Sequence, residues 1–314
     1  MSRTTATEKT LDTDGCKLDI PPTLDAMIID GNACLSSRLP ASTLMIRIRS
    51  GVLLWLLTLL QPVAAGELSA AVIREKMSAY APHASHPLPA LTDEQLRRLL
   101  DGRVIKMRLP SEGEAPDGAM AMVISELSRV ELWLGSMDAE HFGTDESLTI
   151  HHLPLQAGEL FRWYGFVDLP APVADRHFLI RTTINPSLPA ASENTMWERS
   201  WALEPGFVDT MRPAVAAGEV AGLELKAYEA AVAVPVNFGA WIFIDLPDGR
   251  TLFGYHCATS LGGEIPDRLV TRYVFWGLEG LIARIIKSAQ AMPTHYGAAH
   301  APMTGGDGKP VARY

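Results

Sequence analysis

The pattern of apolar and polar residues predicts short helices, then mostly strands, then one long helix. The first helical patterns lie at 68–80 and 92–102, and Thr92, followed by Asp93, Glu94 and Gln95, resembles a capping box. A helical pattern at 126–134 interrupts the strands. Period-two alternation predicts strands at 104–109, 119–125, 148–153, 159–168, 177–184, 195–203, 223–234, 239–245 and 251–259.

The longest helical pattern lies at 265–291. Pro266 and Asp267 suit a first helical turn, and apolar residues then recur at helical spacing along one broad face. At about 1.5 Å per residue the helix would be roughly 35–40 Å long, so it needs a large apolar partner surface. Because runs of strands and helices are kept apart, we predict an α+β fold in which a curved antiparallel sheet wraps around this helix.

Residues 45–65 have the three parts of a secretory signal peptide. Arg47 and Arg49 form a basic lead, residues 51–60 form an uncharged apolar core, and small residues follow up to Ala65. The apolar run is short for a membrane span. We therefore predict export, to the periplasm or out of the cell, with cleavage after Ala65.

The remaining segments define the domain organisation. Residues 1–44 are polar without a sustained period, so we interpret Met45 as the true start and 1–44 as a doubtful, disordered leader. Residues 66–91 are predicted to be a linker with a short helix, and 92–292 the folded domain. The Gly- and Pro-rich residues 293–314 are predicted to be a flexible tail.

Charge and cysteine use narrow the classes of function. The net charge of −9 argues against nucleic acid as a partner, because phosphate binding requires a basic face. It also gives no support for docking on anionic lipids, although a local patch would escape this count, so transient membrane contact stays open. Cys16 and Cys34 lie in the leader, which leaves Cys257 without a partner for an internal disulfide. The oligomeric state is not determined by these features.

Sequence motifs of enzymes are sparse. The chain has no G-x-S-x-G elbow, no P-loop and no H-E-x-x-H motif. The neighbouring residues His151 and His152 fall on a predicted strand, where adjacent side chains point to opposite faces and do not easily reach one ion. We therefore predict no catalytic residue, no metal site and no cofactor.

Aromatic residues are concentrated in the predicted strands. One interpretation is that they fill the core, since large aromatic side chains dominate protein cores. The other is that a strongly bent sheet closed by a long helix encloses volume that side chains do not fill, and apolar pockets are the usual ligand sites. The aromatic set is Trp163, Tyr164, Phe166, Trp197, Trp201, Trp241, Phe243, Phe253 and Tyr255.

The segment 163–178 predicts a strand, a rigid proline corner and a return strand. Arg176 lies near the start of the return strand, where it can point inward. A buried guanidinium would need carboxylate or backbone carbonyl partners, and Asp168, Asp175 and Glu198 are the carboxylate candidates. The alternative is an exposed Asp–Arg pair at the corner.

Two motifs carry a resemblance to a known family. The corner D-L-P-A-P-V-A-D-R-H-F at 168–178 resembles that of bacterial START-domain lipid-binding proteins, in the START/polyketide-cyclase (SRPBCC) helix-grip superfamily. The D-G-x-T turn at 248–251 and the G-G-x-I-P entry at 262–266 are similar to that family's last hairpin and terminal helix. The resemblance covers roughly 92–290. It implies a helix-grip fold with a hydrophobic tunnel between sheet and helix, and an Arg176 that can face the cavity.

We therefore predict non-enzymatic binding or transport of a hydrophobic ligand, such as a lipid or a sterol-like compound, in that cavity. Arg176, Glu198 or Arg199 would orient a polar head, and the ligand would enter by movement of the helix 265–291 or the connection 207–222. The predicted ligand-binding residues are Met120, Met122, Trp163, Arg176, Trp197, Arg199, Trp201, Trp241, Tyr255 and Tyr273.

Two other functions stay open. The first is a cyclase/aromatase-type enzyme acting on a hydrophobic substrate in the same cavity, with His177, His256 or Tyr255 as acid–base groups. Export disfavours it, because the carrier-bound polyketide intermediates that the resemblance implies are cytoplasmic. The second is an interaction domain whose cavity is filled by its own side chains.

Overall fold

The computed structural model describes residues 67–111, 115–138 and 148–314. The leader at 1–44 and the predicted signal peptide at 45–65 lie outside the described residues. Helices, labelled α1 to α7 in chain order, are Ala70–Tyr80, Asp93–Leu100, Arg129–Met137, Ser187–Ala191, Phe207–Ala216, Leu225–Ala230 and Asp267–His295, with a 3₁₀ turn at Ala81–His83 after α1.

The strands form one sheet. Its order is β1-β2-β9-β8-β6-β5-β4-β3, every neighbouring pair is antiparallel, and the short β7 pairs with β5 in parallel. Strands β1 to β9 in chain order are Ile105–Leu109, Gly118–Ser125, Leu148–His152, Glu159–Val167, Arg176–Ile184, Met196–Leu203, Val232–Ala233, Val236–Asp245 and Thr251–Ser260.

Helices cover both faces of this sheet. The inner face, defined as the one that carries Trp163, Trp241 and Tyr255, packs against α3 and α7. The outer face packs against α1 and α2 at one end and against α5 and α6 at the other. A curved antiparallel sheet around a long C-terminal helix is the α+β helix-grip fold predicted from the sequence, which is confirmed.

The terminal helix α7 runs from Asp267 to His295, slightly longer than predicted. Pro266 is the N-cap residue, with extended backbone angles, rather than the first helical residue. Pro293 lies inside the last turn. Among the described residues, no helix is both long and apolar enough to cross a bilayer.

The predicted strands are confirmed with bounds shifted by a few residues, except at 223–234. That segment contains α6 and the two-residue β7. Its sequence, Leu-Glu-Leu-Lys-Ala-Tyr, alternates like a strand, but it also consists largely of good helix formers. The contact of Tyr228 with the outer-face cluster decides in favour of the helix. The predicted connection 207–222 likewise contains α5, Phe207–Ala216.

The C-terminal segment differs from the flexible tail that its composition predicts. Tyr296 is fully buried and Met303 nearly so. The indole N–H of Trp133 donates to the carbonyl of Thr304 at 2.9 Å. A Cβ added to Gly306 would lie 2.3 Å from Cγ of Trp197, so the glycine backbone lies directly on that ring. The glycines here permit close packing rather than mobility.

The predicted linker 66–91 also packs on the domain. Ile73 and Tyr80 of α1 are fully buried in the outer-face cluster, next to Leu96 and Leu99 of α2. The capping box at Thr92 is confirmed, because the Thr92 side chain accepts from the Gln95 N–H and the Gln95 side chain accepts from the Thr92 N–H.

Candidate ligand-binding site

Strand register decides which predicted site residues share a face. Directly paired residues of antiparallel strands point to the same side, and the pairs Arg199–Trp241 and Trp241–Tyr255 therefore place these three side chains together. The same register places most predicted contacts on the inner face, opposite α7. These inner-face residues are Trp163, Arg176, Trp197, Arg199, Trp201, Trp241 and Tyr255.

Met120 and Met122 lie on the other face, which corrects their prediction as lining residues. Both are buried beneath α1 and α2 in the outer-face cluster. Alternation along β2 shows that the two methionines share a face. Because β2 is buried on both faces, hydrophobicity does not show which of its faces is the inner face of the sheet. The inner-face residues of β2 include the small Ala119 and Ala121.

Aromatic rings form the floor of the inner face. Trp241 stacks on Phe253, with ring centroids 5.6 Å apart and an interplanar angle of 8°. Trp201 stacks on Tyr255 at 5.4 Å, and Tyr255 contacts Trp241 at 4.4 Å. The aliphatic face of α7 packs in the same cluster, with the half-buried Tyr273 beside it. These rings are almost wholly buried, so they contact one another rather than line open space.

Two inner-face indoles leave a buried donor without a partner. The indole N–H of Trp197 donates to the Asn194 side chain at 2.7 Å, and that of Trp201 donates to the Asn237 side chain at 3.0 Å. In the described part of the chain, the indole nitrogens of Trp163 and Trp241 are buried and have no hydrogen-bond partner. An unpaired buried donor costs about 1–3 kcal/mol, so the two indoles require an explanation.

Arg199 is the fully buried cation of the inner face. Its Nη2 donates to the carbonyl of Ser136 in the last turn of α3 at 2.7 Å. Its guanidinium carbon lies 5.6 Å from the Trp241 ring centroid. The negative end of the α3 dipole and the face of an indole therefore both stabilise its charge.

Arg176 is buried as predicted, and backbone carbonyls are its partners. Its Nε donates to Leu261 at 2.6 Å, its Nη2 donates to Gly262 at 3.0 Å, and its Nη1 donates to Ala174. Burial lowers its pKa, with Asp175 acting in the opposite direction. Gly262 and Gly263 both adopt positive φ beside the guanidinium. Arg176 therefore holds the loop that leads into α7, and its donors are used by the chain itself.

Glu198 lies on the outer face, away from the predicted ligand head. Its carboxylate accepts from the hydroxyl of Tyr80, from the hydroxyl and N–H of Ser85, and from the Asn185 amide at 2.9 Å. Burial, and then the charge of Glu198, raises the pKa of Tyr80. The carboxylate therefore fastens the segment after α1 to the sheet.

The histidines named for the enzyme alternative also lie on the outer face. The Tyr164 hydroxyl lies 3.0 Å from Nδ1 of His177 beneath α5 and α6, and burial lowers the pKa of His177 to about 4. Burial, and then the nearby His86, lowers the pKa of His256 to about 3. Only Tyr255 of that set is on the inner face. Across 67–111, 115–138 and 148–314, no group of three or more His, Cys, Asp or Glu side chains is arranged to hold a metal.

The fold is similar to several solved structures at low identity. The STAR-related lipid transfer protein from Xanthomonas axonopodis shares 16% identity and a TM-score of 0.42, over 60% of this chain and 93% of that one. Human StAR-related lipid transfer protein 5 shares 15% identity and a TM-score of 0.42, over 72% and 96%. The Zhui aromatase/cyclase from Streptomyces sp. R1128 shares 14% identity and a TM-score of 0.32, over 55% and 93%.

No family model matches the sequence, and no curated protein matches it. The candidate site is the aromatic inner face covered by α7, where the described residues include two indole donors without a partner.

Proposed function

We propose that this protein binds a hydrophobic molecule with a polar head between the inner face and α7, as a carrier or sensor that leaves the molecule chemically unchanged. The unpaired indole donors of Trp163 and Trp241 carry this proposal. Trp163 lies on β4 and Trp241 on β8, three strands apart in the sheet. Separate ester, carboxyl or hydroxyl oxygens on the ligand would accept from each indole and remove the penalty of the unbound state.

Burial of the apolar body would supply most of the affinity. Apolar surface removed from water contributes about 25 cal/mol per Å², so a lipid-sized ligand gains on the order of several kcal/mol. The surfaces that it would contact are the aromatic floor around Trp241 and the aliphatic face of α7.

Entry of the ligand requires α7 to move. The inner-face rings are packed against one another and against this helix, so α7 would have to move away from them to admit a ligand. The other gate considered from the sequence, 207–222, packs against Tyr164 and Leu179 on the outer face. The loop held by Arg176 at the start of α7 is then the hinge about which the helix would swing.

Extraction and titration test the proposal. The full chain is purified without detergent, its organic extract is analysed by mass spectrometry, and cis-parinaric acid is titrated into delipidated protein. Because Trp→Phe keeps the ring and removes the donor, W163F and W241F are each expected to weaken parinarate binding about 2–10-fold. Trp276→Phe is the control, because Trp276 lies exposed on the far side of α7. A protein that neither retains nor takes up any apolar compound contradicts the proposal.

The near-complete burial of the inner-face rings favours one second candidate function, an interaction domain filled by its own side chains. In that case no apolar compound is recovered, and W163F and W241F leave the unfolding midpoint unchanged or raised, since each removes an unpaired donor. Recovery of a stoichiometric apolar compound would reject this candidate.

We propose further that the exposed side of α7 contacts membranes during ligand exchange. Trp276 is 58% exposed and Leu269 is 42% exposed. The guanidinium carbon of Arg272 lies 4.3 Å from the Trp276 ring centroid. An exposed indole beside an arginine suits a bilayer interface, because the ring has an apolar body with a polar N–H and the guanidinium can pair with a lipid phosphate.

Vesicle sedimentation tests this contact. We expect W276A to lower the fraction of protein bound to phosphatidylserine-containing vesicles several-fold, and 0.5 M salt to lower it for the unmodified protein. Leu155→Ala is the matched control, because Leu155 is 57% exposed on the β3–β4 connection. Equal sedimentation of both variants and the unmodified protein would contradict the contact.

A further inference from the structure

A cleft of about 530 Å³ opens on the outer face of the sheet, separate from the inner face and α7. The segment 86–89 forms one wall, the ends of β1 and β2 form another, and β8 and β9 form the floor through Phe238, His256 and Ala258. This volume lies within the range of small-molecule sites. The cleft is independent of the proposed lipid site, because the two use opposite faces of the same strands.

Planar rings give this cleft its chemistry. The His86 ring lies 4.8 Å from that of Phe238, at an angle of 35°. It also meets the edge of the His256 ring at 5.4 Å and 84°. Proline residues line much of the remaining wall and give it a rigid apolar surface. Surfaces of this kind recognise flat apolar molecules by stacked and edge-to-face contact.

One hydrogen-bonding atom in the cleft wall has no partner. His256 is 2% exposed, and its Nε2 has no hydrogen-bond partner in the described residues. Burial keeps its imidazole neutral, and burial also lowers the pKa of His86. The nearby carboxylate of Glu198 already accepts from Tyr80, Ser85 and Asn185. Among the described lining residues, none carries a charged side chain that could pair with a charged ligand, and Nε2 of His256 is the one buried polar side-chain atom without a partner.

We propose that this cleft is a second binding site, for a small uncharged aromatic molecule that bears a hydroxyl group. The ring would stack among His86 and Phe238, and the hydroxyl would bond Nε2 of His256. A hydroxyl both donates and accepts, so it satisfies this nitrogen in either tautomer of the imidazole. A charged ligand is disfavoured, since it would lose hydration without gaining a counter-charge. Nε2 of His256 is buried, and the half-buried His86 ring contacts the His256 ring. The His86 ring must therefore shift as the ligand binds, and it then stacks against the ligand.

The test compares 4-methylphenol with toluene on the full chain labelled with ¹⁵N-histidine. We expect saturable shifts of the His86 and His256 ring nitrogens with 4-methylphenol, and binding of toluene about fivefold weaker. His177 is the internal control, because its ring is held by Tyr164 under α5 and α6. H256F is expected to bind the two compounds equally, and His300→Phe, outside the cleft, is expected to keep the fivefold preference.

Specific results would overturn the site. One is the absence of saturation up to the solubility limit of 4-methylphenol, and another is equal affinity of the unmodified protein for the two compounds. A third is shifts confined to His177. The comparison of compounds on unmodified protein stands even if H256F does not fold. If the inner face takes up no lipid, the histidine shifts and the comparison of 4-methylphenol with toluene can still be measured. The two proposals can therefore be rejected independently.

Discussion

The guanidinium of Arg176 donates to the carbonyl of Ala174, just before β5, and to the carbonyls of Leu261 and Gly262 in the loop that leads into α7. R176M removes every donor and leaves these buried carbonyls unpaired. Since hydrogen bonds to charged groups contribute about 1.5–3 kcal/mol each, we expect the free energy of unfolding to fall by about 3 kcal/mol or more. Urea unfolding measures this loss.

The control for Arg176 is Arg268→Met at the exposed start of α7. It changes the same side-chain type in the same region without removing a buried donor, so its effect should stay within about 0.5 kcal/mol. Equal destabilisation by the two variants would show that Arg176 acts only through its charge or its bulk. The position of Arg176 at a strand start could be predicted from the sequence, whereas the choice of Leu261 and Gly262 as partners could not, because they lie 85 and 86 residues along the chain.

The buried histidines make stability depend on pH. His177 has a pKa lowered to about 4 and His256 one lowered to about 3, both by burial. The unfolded chain, with histidine pKa values near 6.5, takes up these protons first as pH falls. Stability is therefore fully present above pH ~6.5, declines by at most about 1.4 kcal/mol per pH unit per histidine, and levels off below pH ~3.

Unfolding midpoints at pH 7.5 and pH 5 check this dependence. The unmodified protein should lose stability between them, and His177→Phe should lose less, because the proton taken up by His177 on unfolding is gone. Carboxylates with ordinary pKa values contribute little over this interval, and Asp245, whose pKa is raised by burial, contributes equally to both proteins. The same loss in His177→Phe and in the unmodified protein would show that the proton uptake occurs elsewhere.

At the scale of elements, α3 and α7 meet through their backbones. A Cβ added to Gly135 would lie 2.4 Å from the backbone nitrogen of Ala289, closer than real Cβ contacts. G135A gains helix propensity of about 1 kcal/mol, but it must force the helices apart. Overpacking of this kind costs about 1–3 kcal/mol or more, so we expect a net fall in the thermal midpoint.

Gly280→Ala is the matched control within α7. A Cβ at Gly280 meets nothing within 4 Å, so the substitution should keep the helix-propensity gain and raise the thermal midpoint slightly. Opposite signs for the two Gly→Ala changes are the expected result of thermal unfolding. If both stabilise the protein, α3 and α7 are not in backbone contact.

An element could be predicted from the sequence where its hydrophobic periodicity and its residue propensities indicate the same structure. It could not be predicted where the two indicate different structures. The long apolar stripe of α7 and the turn at 248–251 each agree with their surroundings, and both are present. Residues 223–234 alternate like a strand but are made of helix formers, and tertiary contact chose the helix. The glycines of the C-terminal segment 293–314 predicted mobility. Gly306 instead packs on Trp197, which leaves no room for a Cβ.

The candidate site shows the same limit. Each strand's alternation predicted which side chains share a face, but the helices on both faces make β2 and β9 buried throughout. Hydrophobicity alone therefore could not assign Met120 to the outer face or Trp241 to the inner one. Register across the sheet made that assignment, and register depends on pairings between distant residues.

At the scale of the whole molecule, the sheet is the wall between two separate apolar regions. The inner face with α7 holds the aromatic floor, and the outer face carries the N-terminal helices and the 530 Å³ cleft. Glu198 ties the segment after α1 to the outer face, so that segment is part of the folded domain. If the chain is processed, it must therefore retain α1, Ala70–Tyr80, to keep the bond from Tyr80 to Glu198.

Export can be tested against that requirement. Cleavage after Ala65 would remove the basic lead and the apolar run at 45–65, and would leave intact Ser69, whose side chain caps α1. We therefore expect the full reading frame, expressed with secretion intact, to yield a native protein whose intact mass corresponds to residues 66–314. Ala65→Glu should block cleavage and leave the precursor in the membrane fraction, because signal peptidase accepts small residues at that position. Ala301→Glu, in the mature chain, is the control for the added charge. A native protein that retains 45–65 would refute the cleavage site, and one that retains any part of 1–44 would also refute the start at Met45.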